Sequence, residues 1–338
     1  MPALPNRPRY AARLNAFKLG LAGRPSVADM IARAGQVPGL DAADLNFPDH
    51  FEAHSPARLS QVLAEHGLAL NGLAMRYYTD PGFRLGAFTH PDAGVRRAAI
   101  DLTKRGLDAL AAMGGRVMTV WVGQDGVDYS FQADYGRMWD DTVAALAEVA
   151  DHNPALDIAV EYKPNEPRAF ALLPNLGMNL LALAEVGRAN TGITLDFCHV
   201  LFAGEIPAQV AGVIARTSRL LGVHLNDGYG KRDDGLMVGA VHPVQTVELF
   251  VALERIGYDG VIYFDTFPDH GGMDPVAEAA TNVAMADRLR AVAAGLAGHA
   301  GLADAIARQD ATASLRIVAG ALYGLVPGSW SAVRCILT

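Results

Sequence analysis

The sequence predicts an α/β protein, a (β/α)8 TIM barrel with a C-terminal helical extension. Three observations carry that prediction. Short apolar runs alternate with Ala/Leu/Arg-rich segments of helical spacing, eight such strand-then-helix repeats follow one another, and glycines stand between several helices and the next strand. A doubly wound open sheet is the alternative. It would ordinarily carry a Gly-rich phosphate turn after an early strand, and none stands there.

The expected strands are 17–21, 40–45, 68–75, 116–122, 156–162, 192–197, 220–226 and 260–265. The expected helices are 27–34, 56–65, 95–113, 135–150, 175–186, 206–214, 243–256 and 274–296. Glu65-His66-Gly67, Met113-Gly114-Gly115 and Ile256-Gly257 supply the punctuation, because glycine accepts the left-handed conformation that ends a helix. Residues 1–296 thus form the barrel and 297–338 an extension. Its Ala-rich stretch 302–321 reads as one or two helices, packed either on a neighbouring subunit or on its own barrel. The first option suits a homodimer or homotetramer. Residues 325–338, LVPGSWSAVRCILT, carry no interpretable pattern.

Composition narrows the function. With 338 residues and 51% hydrophobic content the chain can bury a large core, and a net charge of −8 argues against a surface that tracks nucleic-acid phosphates. Cys198 and Cys335 offer neither a disulfide framework nor a thiolate metal site, which suits a reducing cytoplasm. The N-terminus is too polar and Pro-interrupted for a signal sequence, and no uncharged apolar run approaches the roughly 20 residues of a membrane span.

In DIAVEYKPNEPR (157–168) a short apolar run delivers Glu161 and Lys163 to its end, and alternation puts both on one face. Taken alone, the pair reads first as a solvated ion pair at a strand end. It does not stand alone. In this fold the active site lies where strands end, and there the chain places Glu161, then Asp196 with His199 three residues on, then His224, then Asp265. Individually these residues could cap, pack or turn. Together, on four consecutive strand ends, they converge on a metal site. Oxygen-rich ligands with imidazole and no thiolate favour Mn²⁺, with Co²⁺, Mg²⁺ and Zn²⁺ as alternatives.

The loop after the seventh strand, HLNDGYGKRDDGLMVGAVH, carries Asp227, Asp233 and Asp234 with Lys231 and Arg232. It reads as a cradle for a second, looser cation or as an exposed mixed-charge loop. Lys163 is expected to hydrogen-bond a substrate carbonyl oxygen where charge develops. Trp121 ends the fourth strand and Arg76 the third, so an aromatic wall and a cation border the same mouth, which suits a monosaccharide. His50, after the second strand, is a further candidate for substrate contact.

At these residues the sequence resembles the xylose isomerase-like barrels, the sugar isomerase and epimerase superfamily. VEYKPNEPR (160–168) is similar to the metal-glutamate and catalytic-lysine segment of xylose isomerases. FTHPDAGVRRAAI (88–100) and LDALAAMGGRVMTVWVGQDGVDY (107–129) are similar to the fourth repeat with its active-site tryptophan. The resemblance runs over roughly residues 40–290. It implies that Glu161, Asp196, His224 and Asp265 hold the first metal, and that His199 with Asp233 and Asp234 serves a mobile second one. There are departures. His224 stands where xylose isomerases have an acid, as in L-rhamnose isomerases, one second-metal acid falls on Gly235, and ADLNFPDHF lacks the ring-opening histidine.

The resulting expectation is a metal-dependent aldose–ketose isomerase acting on a free monosaccharide by hydride shift or through an enediol. Lys163 would stabilise the oxyanion, and water at the metal with Asp233 or Asp234 would move protons. A ketose 3-epimerase or a C-glycoside-cleaving lyase subunit is the alternative on the same scaffold. A phosphodiester-cleaving repair enzyme would need a His-rich three-metal site and a DNA-binding surface, and a metal-stabilised binding protein would not need Lys163.

Overall fold

The computed structural model describes residues 10–23 and 25–325, so Cys335 and the stretch 326–338 lie outside the described residues. Ten strands follow in chain order: β1 (Tyr10–Arg13), β2 (Ala42–Phe47), β3 (Ala69–Met75), β4 (Val117–Val120), β5 (Gly126–Val127), β6 (Asp157–Glu161), β7 (Phe170–Ala171), β8 (Thr191–Asp196), β9 (Leu220–Leu225) and β10 (Ile262–Phe264). Eight of them close into a barrel in the order β1-β10-β9-β8-β6-β4-β3-β2, with every pairing parallel. The remaining two, β5 and β7, form a short antiparallel ribbon. Strands covered by helices outside and side chains inside need apolar residues on both faces. Accordingly β2, β6 and β8 are buried along their whole lengths.

The first strand is a correction. It lies at Tyr10–Arg13, not at 17–21, and the expected stretch begins in a 3-10 turn, Leu14–Lys18, that buries Phe17, and continues as turn and coil. The physical reason is size. Ala11 and Ala12 give the strand no hydrophobic signal, yet Ala11 packs with Ala42 and Tyr263 in a small cluster of its own, where an aromatic ring on one strand needs small partners on the next.

The helices follow the expected rhythm. Val27–Ala34, Pro56–Glu65 and Pro243–Ile256 fall where the periodicity puts them. Ser26 and Asp29 close the first with a capping box, and Gly257 ends the third in the left-handed conformation at φ 70°. Residues after the barrel form two helices, Ala300–Ala307 and Ala311–Tyr323. Leu302 joins the main core, so the first of them packs on its own barrel, while the second leaves Leu315 and Tyr323 exposed. Among the described residues no helix is long and apolar enough to cross a membrane.

Candidate metal centre and sugar pocket

A cavity of about 320 Å³ opens among the C-terminal strand ends, at the small end of the range of about 300–1,000 Å³ usual for ligand pockets. Glu161 closes β6 and Asp196 closes β8, where Asp196 pairs in register with His224 of β9. Tyr263 of β10 pairs with His224 in turn, and Asp265 follows that strand directly. One strand order therefore delivers four donors to one point. Their ligand atoms all lie within 4.8 Å of one another.

The electrostatics of this cluster call for a cation. Glu161 and Asp196 are buried with no lysine or arginine paired to them among the described residues, and imidazoles are the ionisable donors that approach them. His224 Nδ1 lies 3.2 Å from Glu161 Oε1 and 3.9 Å from Asp196 Oδ2, and His199 Nδ1 lies 3.4 Å from Glu161 Oε1. Burial pushes the Asp196 carboxyl up to about 7, against the pull of His199. Burial also opposes charging His224, but Glu161 overrides it and raises the imidazole to about 10. Three carboxylates and an imidazole, drawn together and balanced by protons, form a donor set that fits a divalent ion. A ligating imidazole must be neutral, so a cation bound here would displace those protons.

Asn226 holds the set in place. Its amide nitrogen lies 3.1 Å from Asp196 Oδ2 and donates to the Asp265 carbonyl at 3.1 Å, while its oxygen accepts the Cys198 N–H at 2.8 Å. Asp196 also caps the short helix Phe197–Phe202 by accepting the His199 N–H at 2.9 Å. The sequence reading passed over Asn226, because an amide after a strand carries no charge signal.

Beside the four-donor cluster, Lys163 donates to Asp233 Oδ2 at 3.0 Å and lies 3.0 Å from Glu166 Oε2. His199 Nε2 lies 3.1 Å from the same Asp233 oxygen. Burial works against both cations, yet these carboxylates keep Lys163 above its ordinary value, and Asp196 and Asp233 raise His199 to about 9. Asp233 in return is held well below the usual carboxylate range by His199 and Lys163, against its own burial. The ammonium also sits 5.2 Å from the centroid of Trp121, which packs edge-on against Tyr78 at 5.2 Å. Arg76 stacks over Tyr78 at 4.4 Å.

Three expected residues are placed differently. Asp234 turns away from the cavity, accepting the Tyr229 N–H at 2.8 Å and pairing with the exposed Arg232 at 2.7 Å. Asp227 is spent on the loop itself, where it accepts the backbone N–H groups of Val241 and His242 at 2.8 Å each. His50 does not line the cavity. Its Nδ1 accepts the Asn46 N–H at 3.0 Å, so its Nε2 carries the proton and donates to Asn15 Oδ1 at 3.0 Å. Burial and the nearby Arg76 push His50 down to about 3, so it is a neutral buckle behind the wall.

Several lining residues went unforeseen: Arg13, Asn46, Tyr78, Glu166, Phe267 and His270. Arg13 was hidden by the misplaced first strand. It pairs with Asp269, approaches Asp265 Oδ1 at 3.8 Å and stacks over Phe267 at 4.7 Å. Glu166 was visible in the EYKPNEPR string but had no assigned aim. Its left-handed backbone, φ 67°, folds the carboxylate back toward Lys163.

Comparison with known proteins agrees with this geometry. Residues 31–289 match the family described as xylose isomerase-like TIM barrel. The xylose isomerase of Thermus thermophilus is 29% identical over 216 residues, 62% of this chain and 55% of that protein, and that of Thermus caldophilus gives the same figures. The chain thus spans about half the length of the curated relatives it matches. Among solved structures, a D-allulose 3-epimerase from Methylomonas sp. superposes with a TM-score of 0.62 at 21% identity, covering 85% of this chain and 95% of that one. An L-ribulose 3-epimerase gives 0.65 at 18%, covering 86% and 94%. At these identities the likeness is one of fold.

Proposed function

Because the chain belongs to the xylose isomerase-like TIM barrel family, we propose that it is a divalent-metal-dependent sugar isomerase interconverting an aldose and a ketose. Lys163 carries this reading. A buried ammonium held charged by two carboxylates, two residues from the metal-ligand candidate Glu161, is not needed to hold a metal, but it is needed where an oxyanion develops. Glu161, Asp196, His224 and Asp265 would hold the ion, and their oxygen-rich set favours Mn²⁺. When bound, the cation polarises the carbonyl and adjacent hydroxyl oxygens of the sugar.

The remaining work falls to side chains. Lys163 donates to the carbonyl oxygen, with Asp233 and Glu166 keeping it protonated. His199 and Asp233, 3.1 Å apart, hold and move a proton at His199 Nε2. Trp121 and Tyr78 face the C–H surface of the sugar and exclude water. A panel of free monosaccharides assayed with Mn²⁺ tests the reading. Ketose formation abolished by chelation and restored by Mn²⁺ is expected, and full activity in metal-free protein would refute it.

A ketose 3-epimerase is the second reading. It is favoured by Glu161 and Asp265, two carboxylates in one tight cluster, and by the fold shared with D-allulose and L-ribulose 3-epimerases. It ranks lower because Glu161 is engaged by two histidines and Asp265 by Arg13, so neither is a free base. Interconversion of two ketoses without aldose would favour it over the isomerase.

A further inference from the structure

Among the described residues, every lysine and arginine in the cavity wall has a carboxylate partner within ion-pair distance except one. Lys163 has Asp233 and Glu166, Arg13 has Asp269 and Asp265, and His199 and His224 share Glu161 and Asp196. Arg76 also lines the cavity, yet no described residue forms an ion pair with it or accepts a hydrogen bond from its guanidinium, and Asp49, the carboxylate that feels its charge outside the cavity wall, lies beyond ion-pair distance. Its Nε is buried without a partner. What fixes the group is Tyr78, whose ring lies 4.4 Å beneath it and leaves the fork of N–H donors unspent. A partly buried guanidinium with idle donors is costly to keep unless something outside the protein completes it.

Its position says what that would be. Lys163, Trp121, Tyr78 and Arg76 form one run, with successive separations of 5.2 Å, 5.2 Å and 4.4 Å. Lys163 marks the end where the carbonyl sits, the two rings are the wall along which carbon atoms lie, and Arg76 stands at the far end. We propose that the substrate is an acidic sugar whose terminal oxyanion, a carboxylate or a phosphate ester remote from the reacting carbons, is bound by Arg76. This rests on the sugar-isomerase reading and adds the substrate class to it.

Binding and turnover are to be measured separately on the Mn²⁺-loaded protein. Calorimetric titrations with D-glucose, D-glucuronate and D-glucose 6-phosphate, repeated with R76Q and R76K, read the proposal. A charge-assisted fork on a carboxylate is worth about 1.5–3 kcal/mol, so an acidic sugar should bind wild type roughly 10- to 150-fold more tightly than glucose. R76Q should abolish that preference and R76K should recover part of it, because an ammonium keeps the charge but not the fork. Preference for glucuronate identifies a carboxylate, preference for the phosphate ester identifies a phosphoryl group, and either supports the proposal.

Equal affinity of wild type for the three sugars would overturn it without any variant. So would a preference for acidic sugars that survives R76Q. Turnover distinguishes the two layers. Isomerisation of neutral sugars with no acidic preference would sink the role of Arg76 and leave the isomerase standing. Arg76-dependent binding without isomerisation would do the reverse.

Discussion

Replacing Lys163 by methionine isolates the charge at the centre of the proposed chemistry. Methionine keeps the apolar stem against Trp121 and removes the ammonium from its two partners, each 3.0 Å away. Breaking a buried ion pair usually costs about 3–5 kcal/mol. Here the cost should fall to about 1–3 kcal/mol, because Asp233 keeps His199 at 3.1 Å and Glu166, 40% exposed, is free to rehydrate. The catalytic loss should be larger. Removing a preorganised donor from a developing oxyanion typically costs about 10²- to 10³-fold in kcat. Lys163 lies outside the four-donor cluster, so metal affinity should change by no more than a few-fold. Turnover of whichever monosaccharide wild type isomerises, measured beside a metal-dependent thermal shift, separates these effects. A kcat within threefold of wild type would refute the oxyanion role, and loss of metal along with kcat would refute the division of labour.

Metal analysis should find one tightly held ion per chain, and Mn²⁺ at a hundred times its Kd should raise stability by about 2.7 kcal/mol. Gly235→Asp should add no second ion, since a Cβ there would meet the Phe267 ring at 2.3 Å. Asn226→Leu should weaken metal binding about 10- to 100-fold by freeing the Asp196 carboxylate and the Asp265 backbone carbonyl, and an unchanged Kd would show that the donor set holds itself. His50 sets an acid limit. Its folded value of about 3 lies below the unfolded value of about 6.5, so its contribution is intact above pH 6.5 and is lost as pH falls toward 3. At pH 4.5 this amounts to roughly 2–3 kcal/mol, and His50→Asn should flatten the acid limb of the stability curve measured by denaturant titration.

Most of the barrel was legible because its strands are buried on both faces and its helices carry regular apolar stripes. Glu161, Asp196, His224 and Asp265 were legible for a related reason, since strand ends in this fold share one mouth. What failed was whatever depends on side-chain size or aim. Tyr10–Arg13 lacks the bulk that marks a strand, because Ala11 must make room beside Tyr263. Asp233 and Asp234 are adjacent carboxylates, and only the backbone of the loop decides that one faces Lys163 and the other Arg232. His50 follows a strand end as the four clustered donors do, but a 3-10 turn, Asp49–Phe51, directs it behind the wall.

Gly235 changes meaning in the same way. In the sequence it is a missing acid. In the structure it is a backbone requirement: it sits at φ 57°, its carbonyl accepts the Phe267 N–H at 2.8 Å, and the absence of a side chain lets the Phe267 ring close over it. That ring then carries Arg13, which in turn approaches Asp265. The position that would complete a second cation site instead builds an apolar edge of the cavity beside the first. With a second ion disfavoured, Asp233 is left to Lys163 and His199, and in the proposed reaction these three would handle the protons. Proton transfer through an enediol should therefore dominate over hydride shift. Turnover in D₂O should place deuterium at C2 of the product aldose, and His199→Gln should slow that incorporation in step with kcat. Complete retention of the C2 hydrogen through many turnovers would refute the argument, because a dyad 3.1 Å apart beside the reacting carbons would then be carrying no proton.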